Sequence, residues 1–321
     1  MKNIVIACQG GGSLTAFTAG VLKTLLRKLD PEQYNIMGLS GASGGAICAL
    51  IAWYGLLIND REKGAQILQA FWDENSAADP VDAWGNSLMV FASWFAGIET
   101  MPQISPYDVP EIGREKLKEM LEHHVPFKEL SGLVKDSSPL LHIGAVNVET
   151  GEFKVFTGPT ITVDKILASA AIPTMFRAVH IDNKQDKGIY WDGLFSQNPP
   201  IREFLQPPSP ASTKPDEIWI VRIDPMVNKS EPKTIQEIDI RRNLLSGNLS
   251  LNQEVFFLET VNKWVQQGFL PKDQFKEIRI RDDLRLDIAL DASSKIDRSP
   301  EHISYLIKLG EDHATQFLKK L

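Results

Sequence analysis

Short apolar runs alternate with helical patterns in the N-terminal part of the chain. Residues 4–8 and 34–39 are rich in apolar side chains, as is typical of strands that are buried on both faces. Residues 16–29 carry apolar side chains at helical spacing, and residues 46–58 are apolar almost throughout. This strand–helix–strand–helix order predicts a parallel sheet with helices on both faces.

The later part of the chain contains shorter strand patterns and a terminal helix. Residues 140–148 and 152–157 flank Thr150-Gly151, which predicts a hairpin. Residues 217–223 alternate like a strand, and a further short strand is expected at residues 277–281. We expect the last stretch, from residue 300, to form a helix with one apolar face.

One domain explains this order of elements. The Pro- and Ser-rich stretch at residues 206–216 is typical of a surface loop, and strand patterns continue after it. We expect the core of this domain over residues 1–225. Residues 226–321 are expected to form a mostly helical C-terminal part of the same domain.

Composition and charge exclude several classes of protein. With 43% hydrophobic and 23% charged residues, wholesale disorder is excluded. The formal net charge of −7 argues against a dedicated nucleic-acid-binding protein. The longest solidly apolar run, residues 46–58, is shorter than the roughly 20 residues that a spanning helix needs. Two cysteines in apolar runs and no leader pattern indicate a cytoplasmic protein.

Three consecutive glycines, Gly10, Gly11 and Gly12, follow the first strand and precede the first helix. Backbone N–H groups that converge in such a loop can bind an anion, either a phosphate or the oxyanion of acyl transfer. A dinucleotide fingerprint would need glycine where the chain has Thr15. An oxyanion hole is therefore the favoured interpretation, and a plain tight turn and a site for a cofactor phosphate are the alternatives.

The sequence Gly41-Ala42-Ser43-Gly44-Gly45 lies between the second strand and the second helix. This is the strand–turn–helix setting that a G-x-S-x-G nucleophile requires. The glycines leave room for a sharp turn that presents Ser43, and the following helix N-terminus favours a developing negative charge. The alternative is an ordinary turn in which Ser43 caps the helix.

Asp192-Gly193 stands between apolar residues and is typical of a hairpin turn. A catalytic role for Asp192 requires more, because a carboxylate with a pKa of about 3.9 is a poor base for a serine hydroxyl. Burial would raise that pKa, and we expect the flanking Trp191 and Phe195 to contribute to it.

Taken together, these motifs resemble those of the patatin-like phospholipase family, in particular bacterial-type patatin-like acyl hydrolases. The similarity spans roughly residues 3–225 and lies in the order of four motifs. These are the glycine loop (Gly10, Gly11, Gly12), the serine motif (Gly41, Ser43, Gly45), the A-S-x-A-I-P segment at residues 168–173, and Asp192-Gly193 followed by Asn198. The glycine loop departs from the family pattern, which usually places a basic residue where this chain has Leu14.

The resemblance implies a three-layer α/β/α fold with a mostly parallel sheet, and hydrolysis of lipid acyl esters by a Ser–Asp dyad. It implies Ser43 as nucleophile, Asp192 as base, and an oxyanion hole at Gly10, Gly11 and Gly12. No metal or cofactor is expected. The expected partners are a phospholipid, lysophospholipid or other acyl-ester substrate and, transiently, a membrane surface; no nucleic acid is expected.

Two alternatives remain open at this point. A Ser–Asp–His triad would follow α/β-hydrolase order if His302 or His313 completed it. A binding protein that retains the fold without activity is the other.

Two aromatic segments add expectations about the surface and the core. Residues 83–98 include Trp84, Met89, Phe91, Trp94 and Phe95 without a charge among them, which suits a lid, an acyl-chain groove, a membrane contact or ordinary core. Phe256, Phe257, Trp264 and Phe269 occur at helical spacing. We expect that second group in the core.

Overall fold

The structure is a computed structural model that describes residues 1–94, 105–173, 175–205, 210–227, 231–288 and 294–321. In these residues the strands are β1 (Lys2–Cys8), β2 (Tyr34–Gly41), β3 (Leu140–Asn147), β4 (Phe153–Thr157), β5 (Val179–Ile181), β6 (Gly188–Asp192), β7 (Glu217–Arg222) and β8 (Arg279–Arg285). The α-helices are α1 (Ala16–Lys28), α2 (Gly44–Leu57), α3 (Arg61–Asn75), α4 (Pro80–Trp94), α5 (Ile112–His124), α6 (Phe127–Leu133), α7 (Val163–Ser169), α8 (Ile235–Gln266) and α9 (Pro300–Leu318).

All the described strands belong to one mostly parallel sheet. Its order is β5-β6-β3-β2-β1-β7-β8, with β4 paired to β3 outside this path. The five neighbouring strands β3, β2, β1, β7 and β8 run parallel to one another. Strands β4, β5 and β6 pair antiparallel with their neighbours. The predicted hairpin is present as β3–β4, where Gly151 has a φ of 72°.

Alternate residues of β1 belong to two different hydrophobic clusters. Ile4 and Ile6 are fully or almost fully buried in the cluster that also contains residues of α1, α2, α3 and α9. Val5 and Ala7 belong to a second, separate cluster together with Leu251 and Leu258 of α8. Because side chains alternate across a strand, helices cover both faces. The fold is therefore the predicted three-layer α/β/α arrangement.

The predicted elements of the first part agree with the structure to within a few residues. In the C-terminal part, the predicted short strand is present as β8, which pairs in parallel with β7 and extends the main sheet. The predicted strand at residues 277–281 starts two residues later and continues to Arg285.

The prediction that the C-terminal aromatic group is core was wrong. Its members are exposed, at 67% for Phe256, 44% for Phe257, 44% for Trp264 and 73% for Phe269. Helix α8 has apolar side chains on more than one face, and it buries Leu251 and Leu258 against the sheet instead. Helical spacing alone does not indicate which face a helix buries.

The other aromatic segment is described only in part. Helix α4 covers residues up to Trp94, and Trp84 is 70% exposed. The side chains of Met89, Phe91 and Trp94, and all of Phe95, lie outside the described residues. Within the part of the chain that is described, no helix combines the length and apolar character needed to cross a bilayer.

Candidate active site

Ser43 and the glycine loop lie together at the carboxyl ends of two central strands of the sheet. Strands β1 and β2 are parallel neighbours, and Cys8 at the end of β1 is paired with Gly41 at the end of β2. The segments that follow the two strands therefore start side by side. One begins Gln9-Gly10-Gly11 and the other contains Ser43 at the N-terminus of α2. Parallel α/β sheets usually bind their ligands at the carboxyl ends of the strands.

Ser43 occupies a strained backbone conformation. Its φ of 54° and ψ of −134° lie in a region that side chains other than glycine rarely adopt. The turn is tight on both sides, since a Cβ on Gly45 would lie 2.4 Å from the Cys8 carbonyl oxygen and one on Gly41 would lie 2.5 Å from the Gly45 carbonyl oxygen. The Ser43 N–H is held by Ser169 of α7, donating to its carbonyl oxygen and its Oγ, both at 3.1 Å.

Asp192 ends β6 and is brought close to the serine turn by β3. It is paired with Ala145 of β3. The following residue, Gly193, has no room for a side chain: a Cβ there would lie 2.4 Å from the Gly144 carbonyl oxygen and 2.9 Å from Cβ of Ala42. The Asp-Gly sequence thus ends a strand and starts a short 3-10 turn at Gly193–Phe195.

The Asp192 carboxyl group is fully buried, and burial raises its pKa to about 7. The Leu194 N–H, the Ser43 hydroxyl and the charge of Lys295 act in the opposite direction and limit that rise. Asp192 Oδ1 accepts the Leu194 N–H at 2.8 Å. Oδ2 has no hydrogen bond of normal geometry with the described residues, although the Ser43 hydroxyl is close enough to lower the Asp192 pKa.

The source of this burial is only partly the one that the sequence suggested. Phe195, expected to desolvate Asp192, is 50% exposed. The position of Asp192 within the sheet, paired with β3 and covered by the serine turn, accounts for the burial instead.

Two of the four consecutive N–H groups in the glycine loop are already bound. Gly10 donates to Asn198 Oδ1 at 2.7 Å, and Ser13 donates to the Lys295 carbonyl oxygen at 3.0 Å. The N–H groups of Gly11 and Gly12 have no acceptor among the described residues. The left-handed φ of 59° at Gly12 belongs to glycine's range. The loop therefore offers two adjacent donors to an anion.

The buried amides of Gln9 and Asn198 connect the glycine loop to the segment that follows β7 and to α8. Gln9 Oε1 accepts the N–H groups of Ile223 and Asp224 at 2.8 and 3.0 Å. Its Nε2 donates to the Gly247 carbonyl oxygen at 3.2 Å, as does Asn198 Nδ2. The loop is thus held by β7 and α8 before any ligand binds. Sequence reasoning noted Asn198 only as part of a motif and missed Gln9.

Lys295 supplies a positive charge that sequence analysis did not locate. Its Nζ lies 2.6 Å from Oδ1 of the buried Asp224. A Cβ on Gly12 would lie 2.2 Å from the Lys295 carbonyl oxygen, so the residue packs directly on the glycine loop. The loop lacks the basic residue of the family pattern at Leu14, but a lysine about 280 residues further along the chain lies against it. No local motif identifies that residue.

The histidines of a possible triad make different contacts. The His313 ring packs edge-on against Phe17, with centroids 5.4 Å apart. His302 lies near Asp297, and its buried Nε2 has no hydrogen-bond partner among the described residues. Among the described residues, the hydrogen bond that the Asp192 carboxyl group accepts comes from the backbone N–H of Leu194 and from neither of these histidines.

A partly apolar groove lies beside the 3-10 turn that follows Asp192. It has a volume of about 230 Å³ and is lined by Leu194, Phe195 and Leu249 together with polar residues that include Ser250 and Arg202. Leu249, on the α8 side of the groove, is also among the exposed apolar side chains of that helix. Ser43 itself is only 5% exposed.

Comparison with known proteins identifies the family. The sequence model described as patatin-like phospholipase matches residues 6–205. No curated protein sequence matches the chain. Among solved structures, VipD from Legionella pneumophila matches 99% of this chain and 67% of its own, with 13% identity and a TM-score of 0.40. The ExoU–SpcU complex from the type III secretion system of Pseudomonas aeruginosa matches 79% of this chain, with 11% identity and a TM-score of 0.32. The match covers 52% of the chain in that structure, about half of its length.

Proposed function

The chain belongs to the patatin-like phospholipase family, and from this premise we propose that it is a serine acyl hydrolase that cleaves acyl esters of phospholipids or lysophospholipids through a Ser–Asp dyad. One observation carries the proposal: Ser43, in a strained turn, lies beside a buried carboxyl group whose pKa is raised to about 7. A base with a pKa near the working pH combines a large ionised fraction with useful proton affinity.

In the first half of the proposed reaction, Ser43 Oγ attacks the acyl carbonyl carbon while Asp192 takes the hydroxyl proton. The carbonyl oxygen becomes an oxyanion, which binds to the N–H groups of Gly11 and Gly12. The tetrahedral intermediate then collapses. The bond to the lipid alkoxide breaks, the protonated Asp192 gives its proton to that leaving oxygen, and the acyl group remains on Ser43.

In the second half, a water molecule replaces the alcohol. Asp192 removes a proton from water as its oxygen attacks the acyl carbon, and the same two N–H groups hold the new oxyanion. Collapse breaks the bond to Ser43 Oγ, which regains its proton from Asp192, and the fatty acid leaves. Both steps use one base, and neither needs a histidine or a metal ion.

The remaining predicted glycines have positioning roles in this proposal. Gly41 and Gly45 permit the serine turn, and Gly193 allows β6 to end against β3 and Ala42. Gly10 was expected to contribute a third oxyanion donor. Because its N–H is bound to Asn198, we assign it a packing role, in which the absence of a Cβ lets it approach Ser43 closely.

We further propose that the protein contacts lipid surfaces transiently through α8. Along this helix Ile238, Leu245, Leu249, Phe256 and Trp264 are each at least 44% exposed. Leu249 also lines the groove beside the turn that follows Asp192, which supports an approach of lipid to the proposed dyad from this helix. Amphipathic faces with large aromatic residues are typical of helices that bind at the membrane interface.

Hydrolysis of short- and long-chain fluorogenic esters tests the proposed chemistry. We expect Ser43→Ala and Asp192→Asn to abolish turnover, because each removes a reacting group, and His302→Ala to retain it. Circular dichroism of each variant controls for folding.

The same series separates the alternatives. Loss of activity in His302→Ala would favour a triad. If every long- and short-chain ester, and phospholipid vesicles, are left intact by a folded wild-type chain that a covalent serine probe does not label, the binding-protein alternative is the correct one.

A further inference from the structure

Three potential metal ligands converge on the surface formed by the ends of α3 and α5, outside the proposed active site. Glu74 lies in the last turn of α3, and His123 and His124 are the last two residues of α5. Nδ1 of His123 lies 3.1 Å from Glu74 Oε2, and Nε2 of His124 lies 2.7 Å from the same oxygen. The three donor atoms all lie within 4.8 Å of one another.

We propose that Glu74, His123 and His124 form a binding site for a divalent transition-metal ion, with Zn²⁺ as the best match. Imidazole nitrogen and carboxylate oxygen are both ordinary zinc ligands. Two ligand atoms that are each about 2.0–2.1 Å from a tetrahedral zinc ion are roughly 3.3 Å apart. The observed separations of 3.1 and 2.7 Å are close to that value, so small side-chain movements would admit the ion.

The surroundings of the cluster hold its ligands in place. His124 has only 11% of its side chain exposed, and its ring packs edge-on against Phe71 of α3, with centroids 5.8 Å apart. The carbonyl oxygen of Asn75, next to Glu74, accepts a hydrogen bond from Arg298 at 3.0 Å. Two of the three ligands are therefore on backbone that is fixed by packing or hydrogen bonds, which lowers the entropy lost on binding.

The charge of the cluster also suits a cation. Glu74 contributes a carboxylate whose Oε2 faces both imidazole rings, so an ion at this point would meet one anionic and two neutral ligand groups. On metal binding, each ring nitrogen that faces Glu74 would present its lone pair. The ring proton would then reside on Nε2 of His123 and Nδ1 of His124. His123 is 70% exposed, which leaves a side of the ion open to water as a fourth ligand.

Binding at this site would tie the C-terminal ends of α3 and α5 together. The sequence did not suggest it, because two adjacent histidines have no recognisable metal-ligand spacing and Glu74 is 49 residues away from the nearer of them. The inference rests on this geometry and is independent of the proposed hydrolase activity.

Zinc titration of the tag-free, full-length chain tests the site, with affinity measured by competition against a chromophoric chelator. The variants are His123→Ala and Glu74→Gln, both exposed positions that should not affect folding, and His180→Ala is the control because that histidine is also exposed. Both free cysteines are buried and should not compete. Thermal unfolding with and without Zn²⁺ gives a second readout that does not use hydrolysis.

We expect the wild type and His180→Ala to bind about one equivalent of Zn²⁺ and to unfold at a higher temperature in its presence. His123→Ala and Glu74→Gln should bind at least about tenfold more weakly, since even outer partners of metal ligands contribute that much, and should lose the thermal shift. The proposal is overturned if wild type binds no zinc, or if the two ligand variants bind as tightly as His180→Ala.

Discussion

The acid limb of the pH–activity profile is the most direct test of Asp192 as the base. With its pKa raised to about 7 by burial, half of this carboxyl group is ionised at pH 7 and only about 1% at pH 5. If the carboxylate is the active form, kcat/KM should rise about fiftyfold between those two pH values. A carboxyl group with a pKa of about 3.9 would change its ionised fraction by less than about a tenth over that interval.

Replacement of Lys295 shows whether the limb belongs to Asp192. The charge of Lys295 lowers the Asp192 pKa, so Lys295→Met should move the acid limb to higher pH. Lys276→Met is a matched control, because Lys276 is also a partly exposed lysine in an ion pair, 2.7 Å from Asp216 Oδ1. That control should leave the limb where it is in wild type.

The assay is kcat/KM for a soluble short-chain ester, which reports groups of the free enzyme and avoids changes in membrane charge. Far-ultraviolet circular dichroism at each pH excludes unfolding as the cause of lost activity. A folded wild type whose kcat/KM changes less than about twofold between pH 5 and 7 would refute the assignment of Asp192 as a base with a raised pKa. An equal limb in the two lysine variants would refute the role of Lys295.

Four further outcomes are expected. Ionised Asp192 opposes folding, so over the rise from about pH 4 to about pH 7 the wild type should lose on the order of 4 kcal/mol of unfolding free energy relative to Asp192→Asn, measured by urea unfolding of both chains. Burial lowers the pKa of His142 to about 4; because the unfolded chain binds that proton more readily, the wild type should lose about 3 kcal/mol relative to His142→Gln as pH drops from about 6.5 to 4. The double variant Leu249→Ser, Phe256→Ser should sediment less with phospholipid vesicles than the wild type does, and equal sedimentation of the two proteins would argue against the lipid contact. Chelators should leave ester hydrolysis unchanged, because both proposed reacting groups are protein side chains, and strong inhibition would contradict the dyad.

The parts of the site that sequence predicted are those set by local backbone geometry. Gly41 and Gly45 are needed because neighbouring backbone atoms approach within 2.5 Å of where a Cβ would lie, and such a turn leaves a short, readable motif. The order of strands and helices was readable for a similar reason. Buried strands and amphipathic helices have different apolar periods.

The parts that sequence missed depend on residues that are distant along the chain. Lys295 lies against Gly12, and Glu74 meets His123 and His124, without any spacing rule that connects them. The orientation of α8 was missed because both its buried and its exposed faces carry large apolar side chains, such as Leu258 and Phe256. Which face meets the sheet is decided by tertiary packing.

A hydrogen-bond network around the two members of the proposed dyad maintains their geometry. The N–H of Ser43 is bound by Ser169, whose Oγ donates to the Gly144 carbonyl oxygen at 2.6 Å. The next residue, Ala145, is paired with Asp192. The serine turn, the end of α7 and strands β3 and β6 thus hold the proposed nucleophile and base in one continuous framework. A strained Ser43, which costs about 1–3 kcal/mol, and a buried Asp192 both destabilise the fold. They persist because this framework, far larger than either residue, determines where each of them lies.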